Sequence, residues 1–192
     1  MAHSEPAVFR RDPGGHVVVA FDEAEERLYR QVLDQVLRLL DTGDEGAEGA
    51  EADPLAASLG IGTSTTEPED PALARLFPTA YQDDPEAAAD FRRYTEPGLR
   101  QGKTAALRTA LDALRPGYVE LTDEQAQAWL SALNDCRLVL GARLAISEDW
   151  DERLAELADQ LADDDPALFV YFIYGHLSYL QESLVEALAE GL

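Results

Sequence analysis

The chain contains a single cysteine, Cys136, in the run LNDCRLVLGARL at residues 133 to 144, and a thiol is the group here best suited to nucleophilic or redox chemistry. Such chemistry needs the thiolate, which requires a helix N-terminus, a nearby cation or a metal, together with access to solvent. Arg137 and Arg143 are the cations near it in sequence. At 100° per residue, Trp129, Leu133, Cys136, Leu140 and Leu144 fall within an arc of about 80°, which turns the thiol toward a core. Cys136 is therefore expected to be a small apolar filler, with a redox role as the lesser candidate.

The remaining reactive side chains are scattered. His3, His16 and His176 lie far apart, so no helix presents two histidine ligands and no metal site is expected. The pairs and triplets Asp83-Asp84, Glu148-Asp149 and Asp163-Asp164-Asp165 fall where helices should begin, and capping explains them better than acid/base work. No nucleophile elbow, P-loop or dinucleotide-binding glycine pattern occurs. Neither catalytic residues nor a cofactor are expected.

Charge offers one asymmetry. The chain carries 15 basic and 38 acidic residues, a net −23, which opposes binding to nucleic acid or anionic lipid. Against that background Arg92, Arg93, Arg100, Lys103, Arg108 and Arg115 stand among only two acids, Glu96 and Asp112, so residues 92 to 115 are +4 and the rest −27. Two readings of this basic island stay open. Either it pairs with the protein's own carboxylates, or Arg92, Arg93, Arg100 and Lys103 dock an acidic segment of a protein partner.

The elements that must position these groups read as helices after a short β segment. Val8 to Arg11 and His16 to Phe21 flank Asp12-Pro13-Gly14-Gly15, which predicts a hairpin within residues 1 to 21. Asp22 with Glu25 opens a helix to Thr42-Gly43 carrying Leu28, Val32, Val36 and Leu39 on one face. Residues 42 to 70 lack an apolar period and predict a mobile acidic loop, and the short runs at Leu55 to Leu59 and Leu73 to Phe77 predict single helical turns. Asp84-Pro85 starts a helix to Tyr94, Thr95 to Leu114 supplies another after Pro97, and Pro116-Gly117 closes it. Thr122 with Gln125 caps a helix to about Ile146, Asp149 with Glu152 opens one to Leu161, and Asp165-Pro166 opens the last, to Ala189. In the helix that holds Cys136, Gly141 would let a neighbour approach, while Asn134 and Arg137 form a structural polar pair in mostly apolar territory. The fold class expected is all-α: residues 1 to 192 as a single-domain helical bundle with an N-terminal hairpin.

The last helix carries two apolar stripes. Val170, Ile173, Leu177, Leu180, Leu184 and Leu188 suit the bundle core, and Phe169, Phe172, His176 and Tyr179 form a second stripe that a homodimer would cover. The longest apolar run, LFVYFIYGHL from Leu168 to Leu177, is too short for the roughly 20 residues of a membrane span. MAHSEPAVFRR has no apolar signal core, so the expected compartment is the cytoplasm.

RLFPTAYQDDPEAAADFRRYTE (75 to 96), WLSALNDCRLVLGARLAI (129 to 146) and Tyr174-Gly175-His176-Leu177 resemble an actinobacterial family of AosR-like oxidative-stress regulators, long labelled a domain of unknown function. The resemblance implies a non-enzymatic cytoplasmic regulator that acts through a protein partner, a sigma factor or another part of the transcription machinery. It supplies no catalytic residues. A sensing scheme that pairs two thiols within one chain cannot operate with one cysteine. The alternative from another class is an enzyme with an unrecognised helical active site, which a pocket of converging polar groups would favour.

Overall fold

Val17, Val19 and Phe21 alternate with half-buried or exposed neighbours, and this period of two builds the middle strand of a small sheet. A computed structural model describes residues 6–42, 65–146 and 166–191. In chain order it contains β1 (Arg10–Arg11), β2 (Val17–Phe21), α1 (Glu23–Thr42), α2 (Pro71–Leu76), α3 (Pro85–Ala113), β3 (Gly117–Leu121), α4 (Asp123–Arg143) and α5 (Pro166–Ala189). The predicted helix from Asp149 to Leu161 and most of the predicted acidic loop lie outside the described residues.

The protein is mostly helical, but its β part is larger than a hairpin. β2 pairs antiparallel with β1, Arg11 opposite Val17, and on its other edge with β3, Val19 opposite Val119 and Phe21 opposite Gly117. The sequence predicts only a helix stop at Pro116-Gly117. Gly117, at φ 87°, in fact starts a strand whose Val119 and Leu121 point inward. The first turn is as expected: Asp12 Oδ1 accepts from the His16 backbone N–H at 2.8 Å, and Gly15 takes φ 87°.

Two helix starts follow their capping signatures. Asp22 Oδ1 accepts from Ala24 and Glu25, each at 2.8 Å, while Glu25 Oε2 accepts from Asp22 N–H at 3.0 Å. Thr122 and Gln125 exchange the same reciprocal bonds at 3.0 and 3.2 Å. The buried face of α1 is Tyr29, Val32, Leu33, Val36 and Leu40, one step round from the expected stripe, with Leu28 and Leu39 half-buried. α4 is central, packing against α1, α2, α3 and α5.

The expected break at Pro97 does not occur: α3 runs unbroken for 29 residues. Proline removes one intrahelical donor and crowds the preceding turn, a cost of about 3 kcal/mol in a helix interior. Here Glu96 accepts from Arg92, four residues before it, at 2.8 Å and from Arg100, four residues after it, at 3.0 Å. That bridge ties together the turns on either side of the proline, and Leu107, Ala110 and Ala113 continue the buried face beyond it.

Candidate protein-contact site

α3 positions the basic island, and its register decides where the charges go. Arg92 is buried, donating to Glu96, to the Phe77 carbonyl at 3.2 Å and to Thr79 Oγ1 at 3.2 Å. Arg100 donates to Glu96 and to the Leu40 carbonyl, and its guanidinium lies 4.6 Å from the centre of the Phe77 ring. Lys103 Nζ is 2.7 Å from Asp135 Oδ1 on α4, and Asp135 is 1% exposed. Burial raises its carboxyl above the usual range, and Lys103 opposes that rise.

Three of the four cations expected to meet a partner thus serve as internal ties: Arg92 and Arg100 hold α3 to the segment around Phe77 and to the end of α1, and Lys103 holds it to α4. Arg93 alone among them points outward, 3.7 Å from Asp90 with both side chains well exposed.

Beside exposed charged and polar residues such as Glu86, Asp90, Gln101 and Arg108, α3 also shows aromatic side chains to solvent. Phe91, Thr95 and Leu99, with Pro78, Thr79 and Ala80 opposite, line a shallow groove whose floor is Arg92 and Glu96. Phe91, Leu99, Tyr81 and Tyr94 are all exposed, Tyr94 to 61%, and Tyr81 meets Phe91 edge-on with ring centres 5.8 Å apart. No sequence signal separated this face from the basic island, because the two interleave at helical spacing on one segment.

The second stripe of α5 is also outside the core. Phe169, Phe172 and Tyr179 are exposed, Phe172 to 63%, whereas Ile173, Leu177, Leu180 and Leu184 are buried. His176 departs from its stripe: its ring stacks on Tyr29 at 5.9 Å and on Phe172 at 5.7 Å, and its Nε2 is 3.8 Å from Glu25. Its stacking therefore links α1 to the exposed edge of α5.

Cys136 is fully buried, and burial together with the Asp135 charge pushes its thiol pKa up. Arg137 does not stabilise it; the guanidinium reaches α5 instead, donating to Ser178 at 2.9 Å and Gln181 at 2.8 Å, above the Tyr174 ring. Asn134 is exposed and takes no part in a buried polar pair with it. Gly141 is not needed for close approach, since an added Cβ would meet Tyr174 at an ordinary 3.6 Å.

The extra strand creates one grouping that the sequence hides. Asp12, His16 and Glu120 bring potential ligand atoms within 4.8 Å of one another, His16 Nδ1 being 3.7 Å from each carboxylate. All three lie on the solvent side of the sheet, where the Asp12 carboxylate is held below its usual range chiefly by the His16 backbone N–H.

Comparison with known proteins places these surfaces in context. The family described as a domain of unknown function, DUF2017, matches residues 4–188. A Mycobacterium tuberculosis protein named oxidative stress regulator AosR is 33% identical over 177 residues, covering 84% of this chain and 77% of its own. A Mycobacterium leprae protein, also carrying the AosR name, is 33% identical over 180 residues, covering 85% and 78%. No solved structure matches the chain.

Proposed function

This chain belongs to the DUF2017 family, and from that premise we propose that it is a non-enzymatic cytoplasmic regulator of the oxidative-stress response. It acts by contact with a sigma factor or another component of the transcription machinery. The observation that carries the regulatory reading is kinship with chains named oxidative stress regulators. The geometry supports action by contact: solvent meets large apolar side chains on α3 and α5, and surfaces of that kind on a folded protein mark interaction sites. The groove between α1 and α4 is lined by Val32, Val36, Leu39, Val139 and Leu140, with Gln35, Arg38 and Arg143 beside them, and gathers no nucleophile with a base.

The test is genetic. Deleting the coding gene in the native host should blunt transcription of peroxide-induced genes, and restoring the chain should bring it back. A response to peroxide that is unchanged in the deletion strain would refute the regulatory reading.

A further inference from the structure

We infer that the exposed face of the N-terminal half of α3 is a dock for a basic amphipathic helix of a protein partner, the opposite polarity from a cationic island that meets an acidic segment. This rests on the regulatory reading and names the chemistry of its partner. The apolar side comes from Tyr81, Phe91, Tyr94 and Leu99, which remain exposed on and beside the groove above Arg92 and Glu96. Phe91, Thr95, Gly98 and Gly102 follow one another at intervals of four, three and four, so they form one line along the helix. A Cβ built at Gly98 or Gly102 meets nothing within 4 Å, leaving open space in which a second helix can approach the backbone. An amphipathic helix laid in an apolar groove uses this arrangement.

Charge selects the occupant. In the segments that lead into the groove, residues 67 to 90, the exposed carboxylates are Glu67, Glu69, Asp83, Asp84, Glu86 and Asp90 against one exposed cation, Arg75, and Glu67 is bonded to Thr79 of the groove wall at 3.0 Å. The cations of α3 that could answer them, Arg92 and Arg100, are turned inward onto Glu96, and Arg93 is beside Asp90. A second copy docking through this same face would bring the same carboxylates against it, so like charges would meet. An acidic peptide or a nucleic acid is repelled for the same reason. A helix with lysine or arginine flanking an apolar stripe is complementary in both respects.

The experiment uses the full chain and a fluorescently labelled 18-residue peptide of leucine and lysine, with leucines placed at helical period. A permuted peptide of identical composition and a leucine-glutamate counterpart serve as controls. Anisotropy at low salt should show binding of the patterned peptide at least tenfold tighter than of the permuted one, and none of the glutamate peptide. Phe91→Ala with Leu99→Ala should weaken the patterned peptide about tenfold while leaving the permuted one unchanged. Gly98→Lys, placed in open space where the fold tolerates it, should weaken it similarly. Equal binding of both lysine peptides, untouched by these substitutions, would mean diffuse attraction to an acidic surface and would overturn the dock, as would no binding at all. In the deletion strain, an F91A/L99A allele that restores the peroxide response in full refutes the dock alone. A deletion without any phenotype refutes the regulatory reading, whatever the peptides do.

Discussion

Replacing Lys103 by methionine separates an internal tie from a partner-facing charge. Methionine keeps the unbranched stem and the helix propensity of lysine and removes only the ammonium. What remains is Asp135, 1% exposed, with Oδ1 newly unpaired and Oδ2 already without a hydrogen-bond partner. At the 2.7 Å separation, two unit charges in an effective dielectric of about 20 attract by roughly 6 kcal/mol. Desolvation of the carboxylate offsets much of that, so the pair is close to neutral as a unit. Breaking it from one side is not, because an uncompensated buried charge costs about 3–5 kcal/mol. Lys103→Met should therefore lower the urea-unfolding free energy at pH 7 by about 3 kcal/mol, and adding Asp135→Asn should recover most of the loss.

The pH dependence carries a sign that can be checked. Asp135 is already raised from 3.8 in the folded state, and losing Lys103 raises it further. A carboxyl raised on folding destabilises the fold once the pH exceeds its unfolded value and does so increasingly up to its folded value. The gap between Lys103→Met and the parent should narrow as the pH falls toward 4. A loss below about 1 kcal/mol at pH 7, with no change in the gap between pH 7 and 4, would refute the reasoning and return Lys103 to the set of surface cations.

Cys136 should react with a thiol reagent only on unfolding, and because its thiol is raised from 9.0, stability should fall between pH 9 and 10 by up to about 1.4 kcal/mol, a slope that Cys136→Ala removes in that window, while above pH 10 the buried Tyr29 hydroxyl, also raised by burial, adds a loss of its own. Rapid labelling of the native protein at pH 7 would contradict this. Pro97→Ala should stabilise the fold by about 1 to 3 kcal/mol in thermal or urea unfolding, since it restores a donor inside an unbroken helix; a loss of stability would mean that the proline sets a bend the packing requires. The exposed α5 face, with Phe169, Phe172 and Tyr179, is proposed to close a homodimer, and sedimentation should give a dimer at micromolar concentration that Phe172→Glu dissociates. A monomer at all concentrations would remove that proposal.

Legibility in the sequence followed locality. The capping boxes at Asp22 and Thr122, the turn at Asp12 and the proline start at Pro166 are set by neighbours within four residues, and each appears where it was expected. β3 was missed because its partner is about a hundred residues away, and a five-residue strand beside Pro116-Gly117 carries little signal without that partner. The continuity of α3 through Pro97 was missed although Glu96 accepts from Arg92 and Arg100, each four residues away on the same helix, because the proline rule outweighed that local pairing. The basic island was visible as composition, but the inward turn of Arg92, Arg100 and Lys103 depends on Asp135, Phe77 and the Leu40 carbonyl, which belong to other segments. Net charge along a segment says nothing about which way each side chain points.

The same distinction bears on how an oxidant could act through this chain. Oxidation of a thiol begins from the thiolate and requires contact with the oxidant. Cys136 offers neither: it is fully buried beside Trp129 and Leu133 on the face of α4 that meets the core, and its pKa is raised by burial and by Asp135. Reaching it requires opening the central helix, which packs on four others, so exposure would come with unfolding and not with a local fluctuation. A sensor at Cys136 would then respond on the timescale of unfolding, and oxidation would report damage. On the proposed reading, stress information reaches this chain through a partner's chemistry or through its own abundance, and the exposed aromatic face of α3 is the proposed place where the message is passed on. Substituting Cys136 by alanine should accordingly leave the peroxide-dependent transcription of the native host intact, provided the variant is folded by its melting transition. A folded Cys136→Ala protein that no longer supports the response would show that the buried thiol takes part after all.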